Sequence, residues 1–567
     1  MHHSVGRRRV VAGTALLMLG TILGVAPPDP PGAQAAPLPH AGEPKVAVAL
    51  GDSFTSGEGG RWQGNSPVDS GSRGYTDRAV TSTDGEIWYD ISKVYEPTSY
   101  VNDCHRSLTA PITYLKDAPD IDKVFNLACS GARHKHVWAL DAGGEHYREP
   151  QTQIDRLRTV ANYHDVELIA IGAGGNDLGF GLAIGHCVKA WGLKHYTPAD
   201  DSACWDEILG EVQPNLDDLG PLMEKTVKNV RGVMSEYGHA PNQYKIVITG
   251  YPSLLPDQNQ FRYAEGNRWD YRCPFIGSDA QYINDYLIPQ LNGMLEAVAE
   301  HMGVGFIDLG GAFDGHRLCE AGTRRSGEPG TSQYVSSHDM EWIRSIDIDI
   351  QARDLPHLAA DGLGELWPMS YTSFKQFDSI PEITDQGHVS ESLHPNYYGQ
   401  QAIGTCVKRW HEAGGAARKV SCRNGASRRS DDMVVTDLPA TGYYANTTDA
   451  AIPDTGNPGG GPSNWLDSLV TIPSLPGGAG AEPGRVMGVW VNIDHARKGH
   501  LRITLSGPSG IGFDVLREYA PADSGAWYDR FYYLPAHFSA PGTYRLRITD
   551  NTVGHAGTLR DWGIRFF

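Results

Sequence analysis

Along the first two thirds of the chain, solid apolar runs alternate with stretches of helical period. Val46-Ala47-Val48-Ala49-Leu50, Val124-Phe125-Asn126-Leu127, Val166 to Ile171, Tyr244 to Thr249 and Val304 to Leu309 read as buried strands. Gln151 to Tyr163, Leu219 to Tyr237, Ala280 to His301 and Tyr397 to Trp410 have helical spacing. Strands alternating with helices predict an α/β fold with a parallel sheet covered on both faces. Beyond Arg423 the pattern changes. Val489 to Ile493, Leu501 to Leu505, Tyr528 to Tyr533 and Tyr544 to Ile548 are short alternating or apolar runs between Gly, Pro and Asp turns. They predict a small all-β, jelly-roll-like sandwich.

The polar residues at the strand ends are the candidate chemistry. Gly51-Asp52-Ser53 turns the chain at the end of the first strand, half of a G-x-S-x-G elbow in which Thr55 stands where the second glycine belongs. Gly131 follows the second strand and Asn176 the third. In a parallel sheet these ends lie along one rim, where ligands bind. His394 stands in a loop before the last helix and can return to that rim. A serine nucleophile needs a base, and an oxyanion needs converging donors. Ser53 with His394 meets the first need; the N–H groups of Ser53 and Gly131 and the Asn176 amide meet the second.

Charge and cysteines set the compartment and narrow the partners. Arg7-Arg8-Arg9, the apolar Val10 to Val25 and the small-residue site Ala33-Gln34-Ala35 predict a signal peptide over 1–35 and a secreted protein. Arg8-Arg9-Val10-Val11 hints at the twin-arginine route, although disulfides close more naturally after general secretion. The 48 basic and 67 acidic residues give a net charge of −19, or about −21 without the signal. Such a surface repels nucleic acid and anionic head groups, and no later apolar run approaches spanning length, so no nucleic-acid partner and no stable membrane insertion are expected. Eight cysteines lie between Cys104 and Cys422 without C-x-x-C or zinc-ligand spacing. They predict disulfides rather than a metal site, sequential pairing being the simplest connectivity. No cofactor is expected.

GDSF around Ser53, Gly131, GGND ending in Asn176-Asp177, and His394-Pro395 resemble, in order, the four blocks of the SGNH, or GDSL, hydrolases. Asp103 to Ser107 and Gly175 to Phe180 further resemble the secreted actinobacterial esterase and lipase branch. The resemblance covers roughly 44–423. It implies a flavodoxin-like three-layer fold and hydrolysis of carboxylic esters through an acyl-serine, without a metal. The family commonly carries an aspartate three residues before the histidine, and Glu391 stands there. Glu391 is expected to orient His394; a backbone carbonyl, as in some relatives, is the alternative.

Ile452-Pro453-Asp454, Asn492 to His495, Leu501 to Gly510 and Gly542 to Trp562 resemble the P domain, or P/homo B domain, of proprotein convertases. Gly499-His500-Leu501 departs from that domain's Gly-Asp-Leu step. The expected organisation is a signal at 1–35, a short segment 36–43, a hydrolase at 44–423, a linker at 424–443 and a P-like sandwich at 444–567 that could contact a surface. The expected substrate is an ester of a lipid or an acylated carbohydrate. A carbohydrate O-deacetylase of the same fold would use identical residues. A degenerate surface-binding protein is the reading from another class, and the complete set of Ser53, Gly131, Asn176 and His394 counts against it.

Other polar residues are expected to be structural. Asp52 and Asp177 read as loop braces, and His105, His134 and His136 as solvated. The region Thr331 to Ser390 reads as an insertion or lid-like loop. Within it Ile346 to Ile350 reads as a half-exposed strand rather than a calcium loop.

Overall fold

The computed structural model describes residues 42–66, 76–83, 86–196, 203–328, 331, 335–346, 389–439, 442–456, 464–473, 486–508, 514–535 and 541–567. The signal, most of the Thr331 to Ser390 insertion and all but Ile346 of the Ile346 to Ile350 strand lie outside them. The five apolar runs form strands: β1 (Lys45–Gly51), β2 (Lys123–Asn126), β3 (Asp165–Gly172), β4 (Lys245–Thr249) and β5 (Gly305–Asp308). With β6 (Lys419–Asn424) and β7 (Met433–Asp437) they make a seven-stranded sheet in the order 2-1-3-4-5-6-7. Neighbours pair in parallel as far as β6, and only β6–β7 is antiparallel. The order 2-1-3-4-5 is that of flavodoxin-like folds. Met433 to Asp437, expected in a linker, is thus the edge strand of this sheet.

Val46 to Leu50 are wholly buried, because the sheet is covered on both faces. On one face pack α2 (Gln153–Tyr163), α4 (Trp205–Glu236) and α5 (Ile288–Met302). On the other lie α6 (Tyr397–Glu412) and the 3-10 turn Pro111–Asp117. Helix α4 starts well before the expected Leu219 and carries Pro214 and Pro221 inside it. The expected helix Ala280 to His301 is broken by a π-helical stretch, Ile283–Leu287, ahead of α5. A one-turn helix, α3 (Gly175–Leu178), and the helix Phe180–Tyr196 were not evident from the sequence pattern. Four disulfides close sequentially: Cys104–Cys129, Cys187–Cys204, Cys273–Cys319 and Cys406–Cys422. Among the described residues no helix is long and apolar enough to cross a membrane.

The C-terminal part is a sandwich of two antiparallel sheets. One holds β8 (Tyr443–Asn446), β9 (Ala450–Ile452), β11 (Val486–His495), β14 (Tyr528–Pro535) and β16 (Gly557–Phe566). The other holds β10 (Trp465–Ile472), β12 (Leu501–Ser506), β13 (Asp514–Arg517) and β15 (Gly542–Asp550). Alternate residues such as Val489, Val491 and Ile493, or Tyr544, Leu546 and Ile548, meet in a separate core. The sandwich also docks on the hydrolase helices, placing Val486 and Tyr533 in the hydrolase core. The Tyr533 ring lies against Gly220 of α4, where an added β-carbon would stand 2.4 Å from a ring carbon. Its hydroxyl donates to Glu224 at 3.3 Å, His301 stacks on Phe531, and Arg565 pairs with Glu300.

Candidate active site

The site grows from the end of β1. Asp52 caps α1 (Ser53–Ser56), accepting from the Phe54 N–H at 3.1 Å and from the Tyr251 hydroxyl at 2.5 Å. Burial pushes the Asp52 carboxyl up to about 7 against these two hydrogen bonds. Asp52 is therefore a brace, as expected. Ser53 follows at the first helical position, 7% exposed, its Oγ 2.7 Å from Nε2 of His394.

His394 arrives from the opposite end of the domain on a loop pinned by two main-chain bonds with Arg344, from Arg344 N–H to the His394 carbonyl and from Leu393 N–H to the Arg344 carbonyl. Leu393 adopts a left-handed backbone, φ +60°, to make this turn. Asn396 then caps α6 through the N–H groups of Tyr398 and Gly399. The Phe54 ring packs between His394 and Tyr251, with centroids 5.2 and 5.3 Å away. Burial lowers the pKa of His394; Glu58, the Ser392 carbonyl and Glu391 oppose that shift.

Glu391 is not placed as expected. Its oxygens accept from the Trp62 indole at 2.8 Å and the Tyr95 hydroxyl at 2.6 Å in a fully buried pocket. The Nδ1 hydrogen of His394 is directed to the main-chain carbonyl of Ser392, 3.1 Å away. Two buried donors that need an acceptor hold the carboxylate, and the ring hydrogen goes to a main-chain carbonyl two residues before the histidine.

Gly131 and Asn176 follow β2 and β3, the strands on either side of β1. The Cys104–Cys129 disulfide and the Ser130 N–H bond to the Cys104 carbonyl fix the first turn. At Gly131 the backbone has φ +77°, a conformation that favours glycine, and an added β-carbon would stand 2.4 Å from the Tyr147 hydroxyl. Among the described residues no acceptor takes the N–H of Ser53 or of Gly131. The Asn176 amide donates to the Ala132 carbonyl at 3.0 Å, which ties α3 to the Gly131 turn and leaves a second amide hydrogen.

Two histidines expected in solvent are buried against carboxylates. His105 faces Glu58 at 2.8 Å, and His134 donates from both its main chain and its ring to Asp177. Asp177 is thus a brace, as expected, while His136 stacks on Tyr147. Glu58 was overlooked; the signal for it was a lone acidic residue among glycines five places after the serine. Among the described residues one group with metal-ligand chemistry converges, Cys187, Cys204 and Asp279, but its two sulfurs are bonded to each other.

Comparison with known proteins places the two parts. The model of GDSL-like lipases and acylhydrolases matches residues 48–407, and that of the proprotein convertase P domain matches 485–566. A transglutaminase-activating metalloprotease of Streptomyces mobaraensis is 33% identical over 124 residues, 22% of this chain and 15% of that protein. The chain therefore spans about a seventh of that relative. Among solved structures, an extracellular lipase of Streptomyces rimosus is 19% identical, with 64% of this chain and 98% of that one covered at a TM-score of 0.33. A phospholipase A1 of Streptomyces albidoflavus is 18% identical, with 64% and 97% covered at 0.33. With its family model spanning well over half of the sequence, the chain belongs to the GDSL-like lipases and acylhydrolases, carboxylic ester hydrolases, and carries a P domain at its C-terminal end.

Proposed function

We propose that the protein is a secreted serine ester hydrolase acting through Ser53 and His394. The observation that carries this reading is the 2.7 Å contact of Ser53 Oγ with His394 Nε2 at the carboxyl end of a central strand. His394 accepts the serine proton as Oγ bonds to the ester carbonyl carbon. The oxyanion receives the N–H groups of Ser53 and Gly131 and the free hydrogen of the Asn176 amide. Collapse of the intermediate breaks the ester C–O bond, and the alcohol leaves with the proton from His394. Water repeats the cycle on the acyl-serine and releases the acid. The Ser392 carbonyl, not Glu391, orients the imidazole, so the unit is a dyad.

The substrate is a lipid ester or an acylated carbohydrate. The four disulfides support a location outside the cytoplasm. The P domain braces the hydrolase through Val486 and Tyr533. The test is a panel of nitrophenyl esters of rising acyl length, acetylated xylan and phospholipid, read with wild type, Ser53→Ala and His394→Ala. Wild-type turnover with both variants inactive and still folded is the expected result. A Ser53→Ala variant with wild-type turnover overturns the assignment.

A further inference from the structure

A buried charge lies beside His394 that the reaction just described does not use. Glu58 is fully buried in the turn after α1. Its carboxylate accepts the Nδ1 hydrogen of His105 at 2.8 and 2.9 Å and the Ser390 hydroxyl at 3.1 Å, together with the Ser130 hydroxyl. Its main chain is fixed too, with its N–H on the Ser53 carbonyl at 3.0 Å and its carbonyl on the Gln400 amide at 3.1 Å. The next residue, Gly59, passes so near the base that an added β-carbon would stand 3.1 Å from Cβ of His394. Burial by itself would raise the Glu58 carboxyl, but His105 foremost, then His394 and Ser130, hold it well below the usual carboxylate range. Of the charges that favour a protonated His394, Glu58 is the largest, ahead of Glu391, while His105 acts in the opposite sense.

These contacts join three blocks of the site. Ser130 precedes Gly131, Ser390 lies on the turn that leads to His394, and Glu58 itself sits one turn beyond Ser53. A buried carboxylate is poorly screened, so its field reaches an imidazole that gains charge in the transition state. We propose that Glu58 is a positioning residue of the hydrolytic site: its carboxylate holds the Gly131 and His394 turns in register with Ser53, and stabilises the imidazolium formed when His394 takes the serine proton. This rests on the reading of Ser53 and His394 as nucleophile and base.

The test compares wild type, Glu58→Gln, Glu58→Asp, Ser53→Ala and His394→Ala on one short-chain ester. Rates for enzymes that keep the serine are referred to the sites labelled at completion by a fluorophosphonate, so only folded molecules count. Glu58→Gln is expected to lose about tenfold in kcat or more, with KM unchanged. The acid limb of its kcat/KM profile moves to lower pH, because an imidazole without its anionic neighbour is harder to protonate. Glu58→Asp keeps the wild-type limb and recovers part of kcat. A Glu58→Gln enzyme with wild-type kcat and an unmoved limb overturns the proposal. So does one with no labelled sites, which would assign Glu58 to folding alone. If Ser53→Ala or His394→Ala keeps turnover, the underlying dyad fails and the role of Glu58 falls with it. Two inactive controls beside an unaltered Glu58→Gln remove only the role of Glu58.

Discussion

The imidazole of His394 gives its Nδ1 hydrogen to the carbonyl of Ser392, 3.1 Å away, and not to the carboxylate three residues before it. A main-chain carbonyl accepts but carries no net charge. In the proposed reaction it would fix the tautomer that leaves Nε2 free to receive the serine proton, while charge stabilisation would have to come from elsewhere. This arrangement separates two duties that one aspartate performs in a Ser-His-Asp triad.

Glu391 should accordingly matter for folding and not for turnover. Glu391→Ala strands the Trp62 indole and the Tyr95 hydroxyl, buried donors that each cost about 1–3 kcal/mol unpaired. A lower melting temperature with near wild-type kcat per labelled site is expected, and Glu391→Gln should melt between the two. If either variant lost ~10⁴ in kcat, as the Asp-to-Asn change does in a serine protease triad, the carboxylate would be acting on the ring.

Asn176 is expected to act in the transition state. Loss of one oxyanion donor costs about 2.7–4 kcal/mol, a factor of ~10²–10³ in kcat. Asn176→Ala should lower kcat on this scale with little change in KM, measured under saturating ester. A change confined to KM would reassign the amide to substrate binding.

Asp52 makes stability depend on pH. Its folded pKa, about 7, lies above the ordinary carboxylate value, so the native state binds the extra proton and stability falls as pH rises from about 4 to about 7. The full loss, roughly 4 kcal/mol from the size of the shift, stands above that window. Asp52→Asn keeps an acceptor for the Phe54 N–H and carries no charge. Its stability relative to wild type should therefore increase with pH between those limits and level off above them. Denaturant melts at pH 4, 5.5, 7 and 8 measure this, and a difference independent of pH would refute it.

The P domain should stabilise the hydrolase through one close approach. Gly220→Ala inserts a methyl group 2.4 Å from the Tyr533 ring, and Tyr533→Ala empties a buried aromatic site worth about 3–5 kcal/mol. Both variants should lower the calorimetric transition of the hydrolase, and the double variant should cost less than the sum. Unchanged transitions would mean that the two parts are energetically independent.

Much of this was legible from the pattern of residues. Period and run length located five strands and the sandwich, because solid apolar runs need two covered faces and alternating ones need a single core. Ser53, Gly131, Asn176 and His394 stand out as candidates because each lies after a strand or before a helix cap, where position follows from local order. The partners of Glu391 and Glu58 were not legible. They depend on where Trp62, Tyr95 and His105 lie in space, and on the main-chain pairing of Arg344 with the His394 loop. His105 and His134 were misread for the same reason, since a histidine and a carboxylate 43 or 47 places apart leave no spacing signature. Met433 to Asp437 falls in the expected linker because the polar, mixed-charge stretch from Arg423 to Asp432 precedes it, whereas its place as an edge strand depends on pairing with Lys419–Asn424.

Tyr533 and Val486 are contributed to the hydrolase core by strands that arrive late in synthesis. Removing the C-terminal part would therefore uncover an apolar seam along Gly220, Gly293 and the neighbouring helix faces. A shortened enzyme would need polar replacements along that seam to stay dispersed at high concentration. During the proposed export the same seam stays bare until the strands that carry Val486 and Tyr533 have followed the hydrolase across, an interval in which a chaperone has something to hold.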